Sequence, residues 1–347
     1  MDQIARSLEI GASDATAVVR ELLWRLMDRG IVQGLLVPLQ TTLRESPAPT
    51  LIKNRERLER ADPLAPVMQL NSAKIAGMLL EQESDKRLGV VLRPCEARTL
   101  MALANRGVLS LDRLVTISID CLGSHEAADY DQRINTWGDD FPVRESLRWS
   151  GRGQIAAYRY RLACQICLKP YFDSADIAIG LFGQRLSESL IVMVDATLAN
   201  QIGLDNIGRS RPIDAESPQL AKRQKTIDDV VSRRSAARRR TFLDFKRDHK
   251  VVEDYLSLFE TCLLCGACQE ACPLTGTLVP AFNLQDFDAS TEEYCRSRLL
   301  DMVARSGYCS GCGICQTACS RGIPLLLITQ MLAACQNLCD ELVTVYS

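Results

Sequence analysis

Two stretches near the C-terminus constrain this chain more than anything else in it. One holds Cys262, Cys265, Cys268 and Cys272, followed by Pro273, and the other holds Cys309, Cys312, Cys315 and Cys319. Each is a C-x2-C-x2-C-x3-C run. Three thiolates two residues apart wrap a tight loop round three corners of an iron–sulfur cubane. The fourth corner takes a ligand from elsewhere, and in two-cluster proteins each fourth cysteine serves the other cluster. The spacing therefore assigns Cys262, Cys265, Cys268 and Cys319 to one [4Fe–4S] cluster, and Cys309, Cys312, Cys315 and Cys272 to a second. Gly266, Gly311 and Gly313 are small enough to let backbone N–H groups approach the sulfides. A pair of zinc sites fits poorly, because zinc motifs usually pair two C-x2-C units and leave the third and fourth cysteines idle.

The rest of the composition agrees with a redox carrier. The opening residues, MDQIARSLEIGASDA, show no apolar core behind a basic patch, so a cytoplasmic location is expected. In that reducing compartment fifteen cysteines read as cluster ligands before disulfides. Only His125 and His249 accompany them, which disfavours His-rich zinc, copper and non-haem iron sites. No eighteen-residue apolar run is present, so no membrane-spanning helix is expected. From residue 251 onward the chain holds eleven acidic and four basic side chains; the net charge of −2 hides this acidic tail behind a mildly basic remainder. The split suggests two domains, residues 1–245 and 246–347, and 347 residues are enough to give each a core.

Local pattern sets the fold class. A helix is predicted over residues 15–29, closed by Gly30, then an apolar run over 31–38, a polar loop over 44–50 and a charged helix over 54–61. Short β-rich runs follow at 89–92, 114–119, 156–161, 177–181 and 190–194, with a helix at 96–105. Strands alternating with helices predict an α/β sheet. A polar segment over 206–218 leads into a stretch rich in Lys and Arg, from Lys222 to Arg240, read as a solvated helix joining the domains. No aromatic residue interleaves with those cations before Phe242, so nucleic acid is not an expected partner. Beyond residue 245 the strand pattern stops. A capped helix is predicted from Ser290, with Cys295, Leu299, Met302, Val303 and Ser306 on one face, and the second domain is expected to be mostly helical. Cys295, Cys335 and Cys339 read as packing around the clusters.

A further four cysteines lie in the α/β part. Cys95 in GVVLRPCEART and Cys121 in LVTISIDCLGS each follow a strand, and Cys164 and Cys167 form a C-x2-C pair before the strand at 177–181. Loops leaving one edge of a parallel sheet are neighbours, and that edge is where open α/β sheets bind ligands. Four thiolates converging there could hold a third [4Fe–4S] cluster; on spacing alone, buried structural cysteines explain them equally well.

The segments RPCEARTL, DCLGS and YRLACQICLKPYFDSADIAIGLFG resemble the beta-subunit family of F420-reducing hydrogenases and formate dehydrogenases, well over residues 60–200. The C-terminal stretch GYCSGCGICQTACSRGIPL is similar to the dicluster domains of formate dehydrogenase beta subunits and heterodisulfide reductase small subunits. The resemblance implies a third [4Fe–4S] cluster at Cys95, Cys121, Cys164 and Cys167 and a flavin, usually FAD, beside it. Two departures stand out: Ser320 follows Cys319 where the family usually has proline, and residues 179–183 read IGLFG where many F420-reactive members have GDFWG. The second weakens the case for F420 itself. No G-x-G-x-x-G follows a strand, so flavin contacts are expected from Asn71, Ser72 and Lys74 after Pro66, from Arg93, and from Lys169 and Asp176. Lys74 as a surface charge, Asn71 as a helix cap and Glu96 as a first-turn helix acid are the structural alternatives.

Together these features predict a beta-type electron-transfer subunit. It would link a catalytic formate dehydrogenase or hydrogenase subunit to a heterodisulfide-reductase-like or other low-potential acceptor in a hetero-oligomeric complex. Two rivals are a stand-alone ferredoxin-dependent flavin reductase of an organic substrate and a flavin-free wire of three clusters.

Overall fold

Short, wholly apolar runs become strands buried on both faces. In the computed structural model, which describes residues 3–11, 14–40, 45–83, 85–153, 160–281, 283 and 291–334, eight strands form one mixed sheet. They are β1 (Gln3–Glu9), β2 (Gly34–Leu39), β3 (Ala48–Ile52), β4 (Leu88–Leu92), β5 (Leu114–Ile119), β6 (Ile177–Gly180), β7 (Ser189–Asp195) and β8 (Ser210–Ile213). The spatial order is β3-β2-β4-β5-β6-β7-β1-β8. The central strands β2, β4, β5 and β6 run parallel. Every residue of these four is buried, as a sheet covered on both faces requires. Their carboxyl ends therefore share one edge.

Helices cover both faces and the edge: α1 (Ala15–Asp28), α2 (Arg55–Glu59), α3 (Ser72–Gln82), α4 (Pro94–Asn105), α5 (Ala127–Trp137), α6 (Phe141–Arg148), α7 (Leu162–Gln165) and α8 (Ala196–Ile202). The expected α/β class is borne out, and α1 starts where predicted because Asp14 caps it, accepting from the Ala17 N–H at 2.7 Å. Three strands were not anticipated. β3 falls partly inside the segment read as a loop and sets Pro49 opposite Pro38, where an edge strand tolerates proline. β8 forms from the segment read as a polar linker by pairing with β1, which itself carried no clear alternation. The strand predicted over 156–161 is not formed at residues 160 and 161; residues 156–159 lie outside the described residues.

The basic helix α9 (Pro218–Asp248) corrects the expectation of a solvated linker. Arg223 and Arg234 are buried in it. Arg223 donates from Nε and Nη2 to the Asp120 carboxylate at 2.9 and 2.6 Å, and from Nη2 to Asp173 at 2.7 Å. Asp120 also accepts from the Leu181 and Phe182 N–H groups at 2.9 and 3.2 Å, so α9 is welded to the carboxyl edge of the sheet beside Cys121.

The remaining helices are α10 (Val252–Ser257), α11 (Ala267–Ala271), α12 (Glu292–Ser306), α13 (Ile314–Thr317) and α14 (Leu325–Ala334). No strand follows β8 among the described residues. Residue 290 is outside them, and Thr291 caps α12 by accepting from the Tyr294 N–H at 3.2 Å. Cys295, Leu299 and Met302 are buried on the predicted face, in a core with Phe245, Phe259 and Leu325. Ala163 and Ile166 of the sheet-bearing part share that core, so the two parts are packed together. Cys335 and Cys339 lie outside the described residues. No described helix is long and apolar enough to cross a membrane.

Removing one partner of a buried ion pair strands the other charge, at a cost of about 3–5 kcal/mol. Arg223→Ala is therefore expected to lower unfolding stability by about that amount. A double-mutant cycle with Asp120→Ala should give a coupling of at least about 1 kcal/mol; a loss below 1 kcal/mol in denaturant unfolding contradicts the weld.

Candidate redox centre

Cys95 is the second residue of α4, where Pro94 presets the first turn, and Cys121 lies two residues beyond β5. The Cys121 N–H donates to the Pro170 carbonyl at 2.8 Å, which draws the segment carrying Cys164 and Cys167 across the sheet edge. These four cysteines line one cavity together with Arg93, Arg161, Lys169 and Arg234. Cys312, from the second C-terminal run, lines it too.

A second cavity is lined by Cys262, Cys265, Cys268 and Cys319, with Phe259, Tyr294 and Arg298. The Tyr294 hydroxyl donates to Cys262 Sγ at 2.7 Å and Arg298 Nη2 to Cys268 Sγ at 3.4 Å. Cys265 is solvent-exposed. Cys272 lies with the remaining three: its charge acts on Cys309, Cys312 and Cys315, and it packs with Cys315, Leu274 and Val279. The Gly311 N–H donates to Cys309 Sγ at 3.4 Å. Each fourth cysteine thus sits with the other run's three.

Gly313 decides how closely the two parts approach. Its φ is +70°, and a Cβ there would stand 2.5 Å from the Ala163 Cβ and 3.3 Å from Arg161 Nη2. Only glycine admits both the left-handed backbone and the contact. Neighbouring bonds seal the seam: Thr99 Oγ1 donates to Ser310 Oγ at 2.8 Å, and Lys74 Nζ donates to the Glu270 carbonyl.

Burial pushes the thiols of Cys121 and Cys309 up to about 12, and those of Cys95 and Cys315 well above the ordinary range. Such thiols stay neutral unless a bound cation stabilises the thiolate, and coordination to a metal does so outright. Among the described residues no group of three or more His, Cys, Asp or Glu closes round a single metal ion. Two of the three cysteine groups line a cavity, the arrangement that a cube of iron and sulfide needs and a lone zinc does not. The donor set fits the clusters.

Beside the first cavity, and sharing Arg93 and Cys121 with it, a pocket opens at the ends of β2, β4, β5 and β6. Its walls are Pro38, Pro63, Leu64, Pro66, Leu122 and Leu147, with Arg93 and Asp120 as polar groups. A mostly apolar concave lining with a few convergent polar groups is the usual make-up of a ligand site.

The six expected flavin contacts fall in different places. Arg93 borders the pocket, its guanidinium donating to the Ala65 carbonyl at 2.8 Å and to that of Val67. Lys169 lines the cysteine cavity, not the pocket. Asn71 caps α3, accepting from the Ala73 N–H at 3.0 Å. The Ser72 N–H donates to Glu96 Oε1 at 2.7 Å, with Glu96 the buried first-turn acid of α4. Lys74 bridges to Glu270, as described. Asp176 precedes β6 at the opposite edge of the sheet, where its carboxylate accepts from the Thr116 N–H and Oγ1, both at 2.7 Å; it ties β5 to β6 and is not at the site. Sequence reasoning missed Asp120, Arg161 and Arg234. Asp120 carried a signal: it is the one charged residue in LVTISIDC, directly before Cys121.

In class, the chain is similar to the beta subunits of F420-dependent formate dehydrogenases, as the sequence resemblance implied. One relative is the F420-dependent formate dehydrogenase 1 subunit beta of Methanococcus maripaludis, 22% identical over 277 residues that span 72% of this chain and 69% of the relative. Another is the F420-dependent formate dehydrogenase subunit beta of Methanocaldococcus jannaschii, 21% identical over 357 residues, spanning 94% and 89%. Among solved structures, a chain of the F420-reducing [NiFe] hydrogenase complex from Methanosarcina barkeri aligns with a TM-score of 0.47 at 12% identity, covering 73% of this chain and 94% of that one. No protein-family model matches.

Asp62, just before the proline-rich pocket wall, has its Oδ1 sealed from water without a hydrogen-bond partner. Burial raises its carboxyl to about 6, against the pull of Arg20 and Arg93. A carboxyl raised in the fold contributes fully below the unfolded value near 4 and loses that contribution as pH climbs through 6. Asp62→Asn is thus expected to be more stable than the parent by about 1–3 kcal/mol at pH 8, with the gap closing near pH 4. Equal unfolding midpoints at pH 8 contradict this.

Proposed function

We propose that this chain is the electron-transfer, beta-type subunit of a formate dehydrogenase- or hydrogenase-type complex, built round three [4Fe–4S] clusters and an FAD. The observation that carries the reading is the continuity of the thiols. Exposed Cys265 stands at one end; Cys268 and Cys315 pack against one apolar core in the middle; Cys312 borders the cavity of Cys95, Cys121, Cys164 and Cys167; and Cys121 also walls the pocket at the sheet edge. Bound in these places, the clusters would supply single-electron storage and the flavin an exchange between one- and two-electron chemistry.

The chain's own residues hold, orient and exclude. Cys262, Cys265, Cys268 and Cys319 would hold the outer cluster; Cys309, Cys312, Cys315 and Cys272 the middle one; and Cys95, Cys121, Cys164 and Cys167 the inner one. The Tyr294 hydroxyl donates to the Cys262 sulfur and Arg298 to the Cys268 sulfur, which orients both side chains at the outer site. Pro38, Pro63 and Pro66 wall the pocket without adding N–H donors, and Arg93 stands where it could meet an anionic group. Residues 1–245 would form the flavin-bearing unit and 246–347 the dicluster ferredoxin unit. With two histidines in 347 residues, substrate chemistry falls to a partner, a catalytic formate dehydrogenase or hydrogenase subunit. The likeness of the C-terminal stretch to heterodisulfide reductase small subunits supports an acceptor of that kind.

Anaerobically purified protein is expected to carry about twelve iron atoms, four per cluster, and to release FAD on acid treatment. Cys164→Ser should lower the iron by about four. Dye-linked electron transfer should be present in the isolated chain, and formate or hydrogen oxidation only after a catalytic subunit is added. About eight iron atoms in the parent removes the inner cluster, absence of flavin leaves a wire, and turnover of an organic substrate by the isolated chain contradicts the subunit reading.

A further inference from the structure

Five arginines are buried among the described residues: Arg161, Arg223, Arg234, Arg298 and Arg305. Three are matched by carboxylates. Arg223 pairs with Asp120 and Asp173, and Arg298 and Arg305 share Asp301 at 2.5 and 2.8 Å. Among the described residues the other two bond only to backbone carbonyls. Arg161 donates from Nη1 to Met68 at 3.3 Å and from Nη2 to Cys312, and Arg234 donates from Nη2 to Leu122 at 2.8 Å. Both border the same cavity, the one lined by Cys95, Cys121, Cys164 and Cys167. Arg161 is 3% exposed and its Nε has no hydrogen-bond partner. Glu126, the acid whose charge reaches Arg161, sits on the exposed surface.

A buried guanidinium without a carboxylate is costly unless another negative charge offsets it. Here the neighbours able to offset it are thiolates. The second cavity differs: Arg298 lines it, but Asp301 already answers that charge. Resting on the three-cluster reading, we propose that Arg161 and Arg234 make the inner site the electron sink of the chain, and that Arg161, placed between Cys312 and Cys164, raises the potentials of the inner and middle clusters together. The physical ground is direct. One-electron reduction adds one negative charge to a cluster, and a fixed positive charge in a poorly screened interior stabilises the reduced form. The guanidinium stays protonated throughout, so no proton accompanies the electron. Arg161 and Arg234 do so by charge alone and touch no substrate.

The two residues make different predictions, because Arg161 touches both sites and Arg234 touches one. Redox titration of the anaerobic protein, followed by EPR, should place the inner cluster at the highest midpoint of the three. Arg234→Gln should lower the inner midpoint alone, by at least tenfold in the reduction equilibrium, about 59 mV for a one-electron couple. Arg161→Gln should lower the inner and middle midpoints together, and Arg161→Lys should restore most of both. Iron content is read beside each titration. A parent with about twelve iron atoms in which Arg234→Gln leaves the inner midpoint unmoved overturns the proposal while the three-cluster reading stands. A parent with about eight overturns both. If Arg161→Gln loses iron, Arg161→Lys with an unchanged spectrum and Arg234→Gln with a lowered inner midpoint support the proposal, and an unmoved midpoint in Arg234→Gln overturns it.

Discussion

The contact of Gly313 with Ala163 is the constraint on which the rest of the molecule depends. Electron tunnelling needs redox centres held near one another, and here the two cysteine-bearing parts come from sequence segments some 150 residues apart. A left-handed glycine lets the loop carrying Cys312 lie against α7, which carries Cys164. Any side chain at that position would meet Ala163 first. The Thr99–Ser310 bond, the shared apolar core at Ala163 and Ile166, and the packing of α9 against α14 through Arg238 and Gln330 then keep the approach fixed.

Charge is arranged round the same seam. The long helix α9 is at once a strut and an electrostatic element. Arg223 is neutralised by Asp120 and holds the Cys121 loop in place, whereas Arg234, eleven residues further along the helix, keeps its charge for the cavity. In the C-terminal helices Asp301 answers Arg298 and Arg305 at once, so those cations present a smaller net field to the thiols of Cys268 and Cys272. The cysteine sites therefore differ in their surroundings although their ligand sets are alike.

How much of this was legible in the sequence follows from how local each signal is. The grouping of the eight C-terminal cysteines was readable because three of each four sit within one loop. The central strands were readable because burial on both faces demands short runs with no charged residue, such as LGVVL and LVTISI. β3 and β8 were not, since an edge strand forms by pairing with a neighbour and carries no strong pattern of its own. Asp176 illustrates the limit of a motif: it lies in a stretch that resembles known relatives, yet its carboxylate is used to join two strands. Arg161 and Arg234 look like surface cations in the sequence, and only the three-dimensional closure shows them buried beside thiols.

The claim that one seam joins the cysteine sites into a single path is tested most directly by low-temperature EPR of the fully reduced, anaerobically purified chain. Adjacent paramagnetic centres across the Gly313–Ala163 contact should broaden and split one another's signals, giving a spectrum that no sum of isolated clusters reproduces. Sharp, independent signals that add without interaction would contradict the account.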